Sequence, residues 1–133
     1  MTPGQKCAAA AALCVLAAAP PAALAHHSFA MFDRDKTTSI AGTVKEFTLI
    51  NPHSWVELMV VDAQGRPVEW SLESAAPIQL ERTGWQATTL KPGDKITASI
   101  HPLKDGSNGG QLIAVTLADG RVLSAGQRGG PGQ

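Results

Sequence analysis

The sequence predicts an all-β domain, a β-barrel with one short helix of the five-stranded OB-fold-like Greek-key type, in the order β-β-β-α-β-β. Three observations predict it. Over most of residues 38–123 apolar and polar residues alternate with the two-residue period of half-buried strands. The stretch from Ser74 to Gly84 interrupts that period between the third and fourth strands. Within the first strand the apolar parity switches, from Ile40, Gly42 and Val44 to Phe47 and Leu49, so a bulge or sharp bend near Lys45-Glu46 lets one strand serve two sheets. Closure would also remove the exposed edges that the alternative, an open five-stranded sheet with one helix, would leave.

The N-terminus precedes any of this. Lys6 is the only charged residue before Asp33, and the apolar run from Cys7 to Ala19 is shorter than the roughly 20 residues a membrane span needs. Pro20-Pro21 breaks the run, and Ala23-Leu24-Ala25 offers small residues where a signal peptidase reads. Residues 1–25 are therefore expected to be a signal peptide cut after Ala25, with the secreted mature protein beginning at His26 in the periplasm. Leu13 stands before Cys14 where lipidation wants a small residue, which argues against a lipid anchor. Cys7 and Cys14 leave with the signal, so no disulfide is expected.

Residues 26–37 read as an N-terminal arm, residues 38–123 as the barrel domain, and residues 124–133, rich in Gly and Gln, as a disordered tail. Asn51-Pro52 ends the first strand. The second, His53 to Val61, turns through Asp62-Ala63-Gln64-Gly65-Arg66 into the third, Pro67 to Glu73, as a hairpin with Val68, Trp70 and Leu72 on one side. In the helix from Ser74 to Gly84, Pro77 suits the first turn, Ile78 and Leu80 form a short apolar stripe, and Gly84 closes it. Leu90-Lys91-Pro92-Gly93-Asp94 turns into the fourth strand, Lys95 to His101. A glycine-rich loop from Asp105 to Gly110 leads to the fifth, Gln111 to Leu117, and Asp119-Gly120 starts a short return through Val122.

Function is bounded first by charge. The chain has 11 basic and 11 acidic residues, and the loss of Lys6 with the signal leaves the mature chain slightly acidic. That near balance argues against nucleic acid or an anionic membrane as partner. No serine elbow, phosphate-cradling glycine loop or helical histidine pair marks an enzyme. What stands out is His26, because a processed N-terminal histidine offers its amine and ring nitrogen to one metal ion, and nitrogen ligands of this kind favour Cu(II). His27 would add an imidazole, and His53 or His101 a third, giving a histidine-brace-like copper site. The metal candidates are thus His26, His27, His53 and His101. Against each stands a plainer role: solvated polar residues after a signal, a turn histidine at His53, a surface residue at His101. Ideal OB topology puts His101 near the departure of the arm and His53 toward the other end, so the arm is expected to join one of the two.

Trp55, Trp70 and Trp85 are expected to supply core area. Trp55 and Trp70 also fall on neighbouring strands where an OB-fold binds ligands, and with Glu57 they make a candidate face for a peptide, glycan or small ligand, provided both rings point outward. The sequence therefore reads as a monomeric periplasmic binding protein, with copper as its one possible cofactor. An interaction module is the alternative, and an oxidative copper enzyme a third reading.

The segments His26-His27-Ser28-Phe29-Ala30-Met31-Phe32-Asp33, Gly42-Thr43-Val44-Lys45-Glu46-Phe47, Asn51-Pro52-His53-Ser54-Trp55, Leu90-Lys91-Pro92-Gly93-Asp94 and Ile100-His101-Pro102-Leu103-Lys104-Asp105-Gly106 together resemble a family of small exported proteobacterial proteins, the domain of unknown function 6152. The resemblance spans nearly the whole mature chain and departs at Leu49-Ile50, where a more polar or aromatic pair is expected. It implies export and a shared fold and brings no activity. Its motifs coincide with every histidine of the chain.

Overall fold

The first strand changes partners at Thr43, and Lys45, two residues on, is the extra residue of a bulge. In a computed structural model, which describes residues 29–126, β1 (Thr38–Thr48) pairs antiparallel with β4 (Lys95–Pro102) through its first half and with β2 (Trp55–Val61) through its second. The β1–β2 register slips between Val44 and Glu46, so the expected bulge is present. It turns the inward parity from Ile40 and Val44, which are buried, to Phe47 and Leu49, which pack against the same core. Gly42 lies where β1 passes from one partner to the other. A Cβ there would sit 2.6 Å from the Met59 carbonyl oxygen and 2.7 Å from Leu58 Cγ, so no larger residue fits without movement.

β2 and β3 (Pro67–Glu73) form the hairpin, and β3 closes the barrel by running parallel to the start of β5 (Gly109–Leu117), with Ser71, Leu72 and Glu73 opposite Gly109, Gly110 and Gln111. The strands follow the order β1-β2-β3-β5-β4 around the barrel, the closed five-stranded arrangement the sequence predicted. Gly109 and Gly110 belong to β5 and not to the loop, because closure needs them. A Cβ on Gly109 would lie 3.0 Å from the Ser71 carbonyl oxygen, and one on Gly110 would lie 2.7 Å from that of His101.

Val56, Leu58, Leu72, Ala98, Ile100, Leu112 and Val115 fill the barrel and are fully buried. The helix α1 (Pro77–Arg82) is shorter than the period break suggested, because Ser74 and Ala75 still continue the β2–β3 pairing: Ser74 N–H donates to the Ser54 carbonyl and Ser54 N–H to that of Ala75. β2 likewise starts at Trp55, two residues after His53. Leu80 is the helix's core residue, whereas Ile78 is 55% exposed, so the expected stripe reduces to one side chain. Gly84 does end the helix, at φ +92°: its N–H donates to the Glu81 carbonyl and that of Trp85 to Leu80, the paired bonds of a Schellman cap.

Trp85 is buried, as expected, and its indole N–H donates to the Ser124 carbonyl oxygen at 2.7 Å, which ties the helix end to β6 (Val122–Ser124). Order thus extends past the point where the tail was expected to begin. Ser124 pairs with Ala114, and Ala125 is fully buried. Residues 127–133 lie outside the described residues.

At the other terminus residues 29–37 of the expected arm lie against the barrel. A 3-10 turn, Phe29–Met31, leads to Phe32, which bridges Leu103 just past β4. Asp33 N–H donates to the Pro102 carbonyl at 2.8 Å and Lys104 N–H to that of Met31 at 3.0 Å. Phe32 is only 4% exposed yet stands outside the main core cluster, so it packs on the barrel rather than in it. Among the described residues no helix is long and apolar enough to cross a membrane.

Candidate metal site

His101 is the last outward residue of β4 before Pro102, because Ile100 beside it fills the core and successive strand residues alternate. Its Nδ1 lies 2.7 Å from the carbonyl oxygen of Lys36, at the end of the arm. A peptide carbonyl only accepts, so Nδ1 carries the proton and the ring lone pair falls on Nε2. The expected proximity of His101 to the arm is present.

His53 is placed differently from the expectation. Its Nδ1 lies 2.5 Å from Oε1 of Glu73, the last residue of β3. Glu73 is the rung partner of Gln111, and Gln111 is the rung partner of His101. Both barrel histidines therefore sit at the same end, the end at which the arm is anchored. The idealised topology separated them because it considered strand directions alone, and the stagger of the closing β3–β5 pair brings Glu73 level with His101. Two strand spacings still separate Glu73 from His101, about 10 Å along the backbone, so the two rings do not form one chelate as they stand.

Parity puts Glu73 and Gln111 on the outer face, yet Glu73 is 6% and Gln111 1% exposed. Gln111 Oε1 has no hydrogen-bond partner among the described residues, nor do the buried hydroxyls of Ser54 and Ser74. The sequence reading missed Glu73 and Gln111 because alternation alone marks them as solvated. The signal that could have found them is Gly109-Gly110, two adjacent glycines that announce a close backbone approach.

Among the described residues no three histidine, cysteine, aspartate or glutamate side chains converge to hold a metal. His26 and His27, the first two candidate ligands, lie outside the described residues.

The proposed ligand face does not assemble as a trio. Trp55 pairs with Glu73 and Leu58 with Trp70, so Trp55 and Glu57 point outward while Trp70 faces inward and packs against the core. Trp70 leaves the face because its parity is that of Leu72, and its buried Nε1 has no partner among the described residues. Trp55 is 36% exposed, and Glu57 accepts a hydrogen bond from the Ser71 hydroxyl at 2.7 Å.

A family model described as a family of unknown function (DUF6152) matches residues 12–112. No curated protein and no solved structure matches the chain.

Proposed function

Because the chain belongs to the DUF6152 family, whose function is unknown, its role has to come from its own residues, and we propose that it is an exported periplasmic protein that binds a copper ion for storage or delivery rather than catalysis. Removal of the signal after Ala25 would give His26 a free amine, which with its own ring nitrogen chelates one ion. This donor type favours Cu(II) over other divalent ions. His27 adds an imidazole, and one barrel histidine completes the set.

The observation that carries this reading is the posture of the barrel histidines. In both, Nδ1 faces an oxygen, the Glu73 carboxylate for His53 and the Lys36 carbonyl for His101, which directs the lone pair to Nε2. Metal-bound histidines are held in this way by an acceptor behind the ring. An arm docked beside a rigid barrel also suits a site that must exchange its ion.

The test is Cu(II) electron paramagnetic resonance on protein processed to His26, beside a form carrying one additional N-terminal alanine. A nitrogen-rich signal that changes with the extra residue is expected. Identical spectra, or binding no tighter than a free peptide beginning His-His-Ser, would remove the copper reading.

A further inference from the structure

We infer that the outer face of β1, β2 and β3 is a docking surface for an extended, arginine-bearing segment of a partner protein, with the exposed ring of Trp55 as its platform and Glu46 and Glu57 as its anions. The inward residues of these strands fill the barrel, so the outward ones line up in rungs: Thr48, Trp55 and Glu73 on one, Glu46, Glu57 and Ser71 on the next. A third rung adds Glu69, and Lys45 reaches its two carboxylate oxygens across β2 at 2.7 and 2.9 Å. Lys45 is the one lysine or arginine on the three strands, and it is committed to Glu69. Its ammonium is held above the ordinary 10.5, first by the Glu69 bond and then by the nearby charges of Glu69, Glu57 and Glu46, so the three carboxylates act in one field.

Glu46 and Glu57 stand directly opposite each other across β1 and β2. Opposed like charges weaken a sheet. Among the described residues neither has an ion pair of its own: Glu57 accepts the Ser71 hydroxyl at 2.7 Å, and Glu46 that of Thr48 at 3.3 Å. A cation seated between them turns the repulsion into attraction. Beside them Trp55 turns its ring outward and stays 36% exposed. Cations seat on the face of an indole, and a planar guanidinium stacks there while its N–H groups take a carboxylate in pairs. Arginine thus answers both features of the face, where lysine answers them only as a point charge. The outward row of Trp55 and Glu73 continues to Gln111, whose buried Oε1 has no donor among the described residues, so the face offers acceptors and lacks donors. Glu73 itself is held by His53 and is left out of the contact. Trp55 and Glu57 are alternate residues of one strand, about 7 Å apart, which is the spacing at which an extended peptide presents alternate side chains.

The experiment titrates the whole protein with a peptide of alternating arginine and glycine, beside matched lysine and glutamate peptides, and follows the indole N–H signals by 1H–15N NMR, with Trp55→Ala to assign them. The Trp55 signal is expected to move and saturate with the arginine peptide, to respond more weakly to lysine and to ignore glutamate, while the signals of the inward-facing Trp70 and Trp85 stay in place. Glu46→Gln should weaken binding roughly 5-fold, the upper range for an exposed ion pair, yet unfold at the same or a higher urea concentration because the opposed charge is gone. Lys45→Gln should tighten binding, since it removes a competing cation and releases Glu69. The control Glu81→Gln, exposed on α1, should match the wild type. A Trp55 signal that ignores the arginine peptide overturns the proposal, as does one affinity shared by the wild type, Glu46→Gln and Lys45→Gln. A Trp55 signal that moves when the protein alone is diluted assigns the face to a second copy of the chain and also overturns it.

Discussion

Phe32→Ala is expected to release the arm without melting the barrel. Phe32 is buried but stands outside the core cluster, and it holds the arm against Leu103 beside three hydrogen bonds, from Asp33 to Pro102, from Lys104 to Met31 and from His101 to Lys36. Burying a phenylalanine side chain contributes about 1.5–3 kcal/mol. In a rigid core its removal would cost roughly 3–5 kcal/mol, because a cavity remains. Here the arm can lift instead of leaving a cavity, so the lower range applies. A loss of about 2 kcal/mol raises the undocked population nearly 30-fold. Amide hydrogen exchange reads this directly: the Asp33 and Lys104 amides should exchange about 30 times faster, while those of the β4–β5 ladder keep their wild-type rates. Uniform acceleration would show that arm and barrel unfold as one unit. Unchanged rates at Asp33 and Lys104 would show that Phe32 does not hold the arm.

Other perturbations test separate regions of the structure. Gly42→Ala forces a methyl group to 2.6 Å from the Met59 carbonyl and should destabilise the protein by about 1–3 kcal/mol, seen as a lower urea midpoint. Trp85→Phe removes the indole bond to Ser124, leaving the longer Thr83 hydroxyl bond at 3.1 Å, and should cost on the order of 1 kcal/mol with β6 fraying first in exchange experiments. Trp55→Ala should change the unfolding midpoint little, because the ring is outside the core; if the β2–β3 face binds a peptide or glycan, this variant abolishes that binding and retains the fold. The Asp62 carboxyl is held below the 3.8 of an unperturbed aspartate, chiefly by the Arg66 backbone N–H and then by the Arg66 side chain. A carboxyl lowered on folding contributes stability that is present above its unfolded value and is lost as pH falls through its folded value. Acidification below about pH 4 should therefore loosen the β2–β3 turn, and Asp62→Asn should flatten that dependence in an NMR titration.

Local chemistry made much of this fold legible. The parity switch around Lys45 announced the bulge, since only an extra residue carries both Val44 and Phe47 toward one core. Gly84 announced the helix end, since the cap requires a positive φ. The illegible features depend on pairing between segments remote in the chain. Glu73 follows Trp70 and Leu72 in strict alternation and reads as solvated, and only the β3–β5 closure buries it. Trp70 was ambiguous for a related reason: a large aromatic suits either face, and its parity with Leu72 sends it inward. His53 was assigned to the wrong end because strand direction is visible in the order of elements, whereas the stagger between β3 and β5 is not. The tail boundary moved because Ala125 is buried through the long-range contacts of Trp85 and Ile113 with its neighbourhood, which a small residue in a polar stretch does not advertise.

The closing seam of the barrel is three residue pairs long and joins segments separated by α1 and all of β4. Such a contact carries a large loop-closure cost and is expected to form late. Glu73 belongs to that seam, so its carboxylate faces water until the last strands meet. The carboxylate that pairs with His53 therefore takes its place only as folding finishes. A chain released half-folded would carry His53 without the carboxylate that holds its ring.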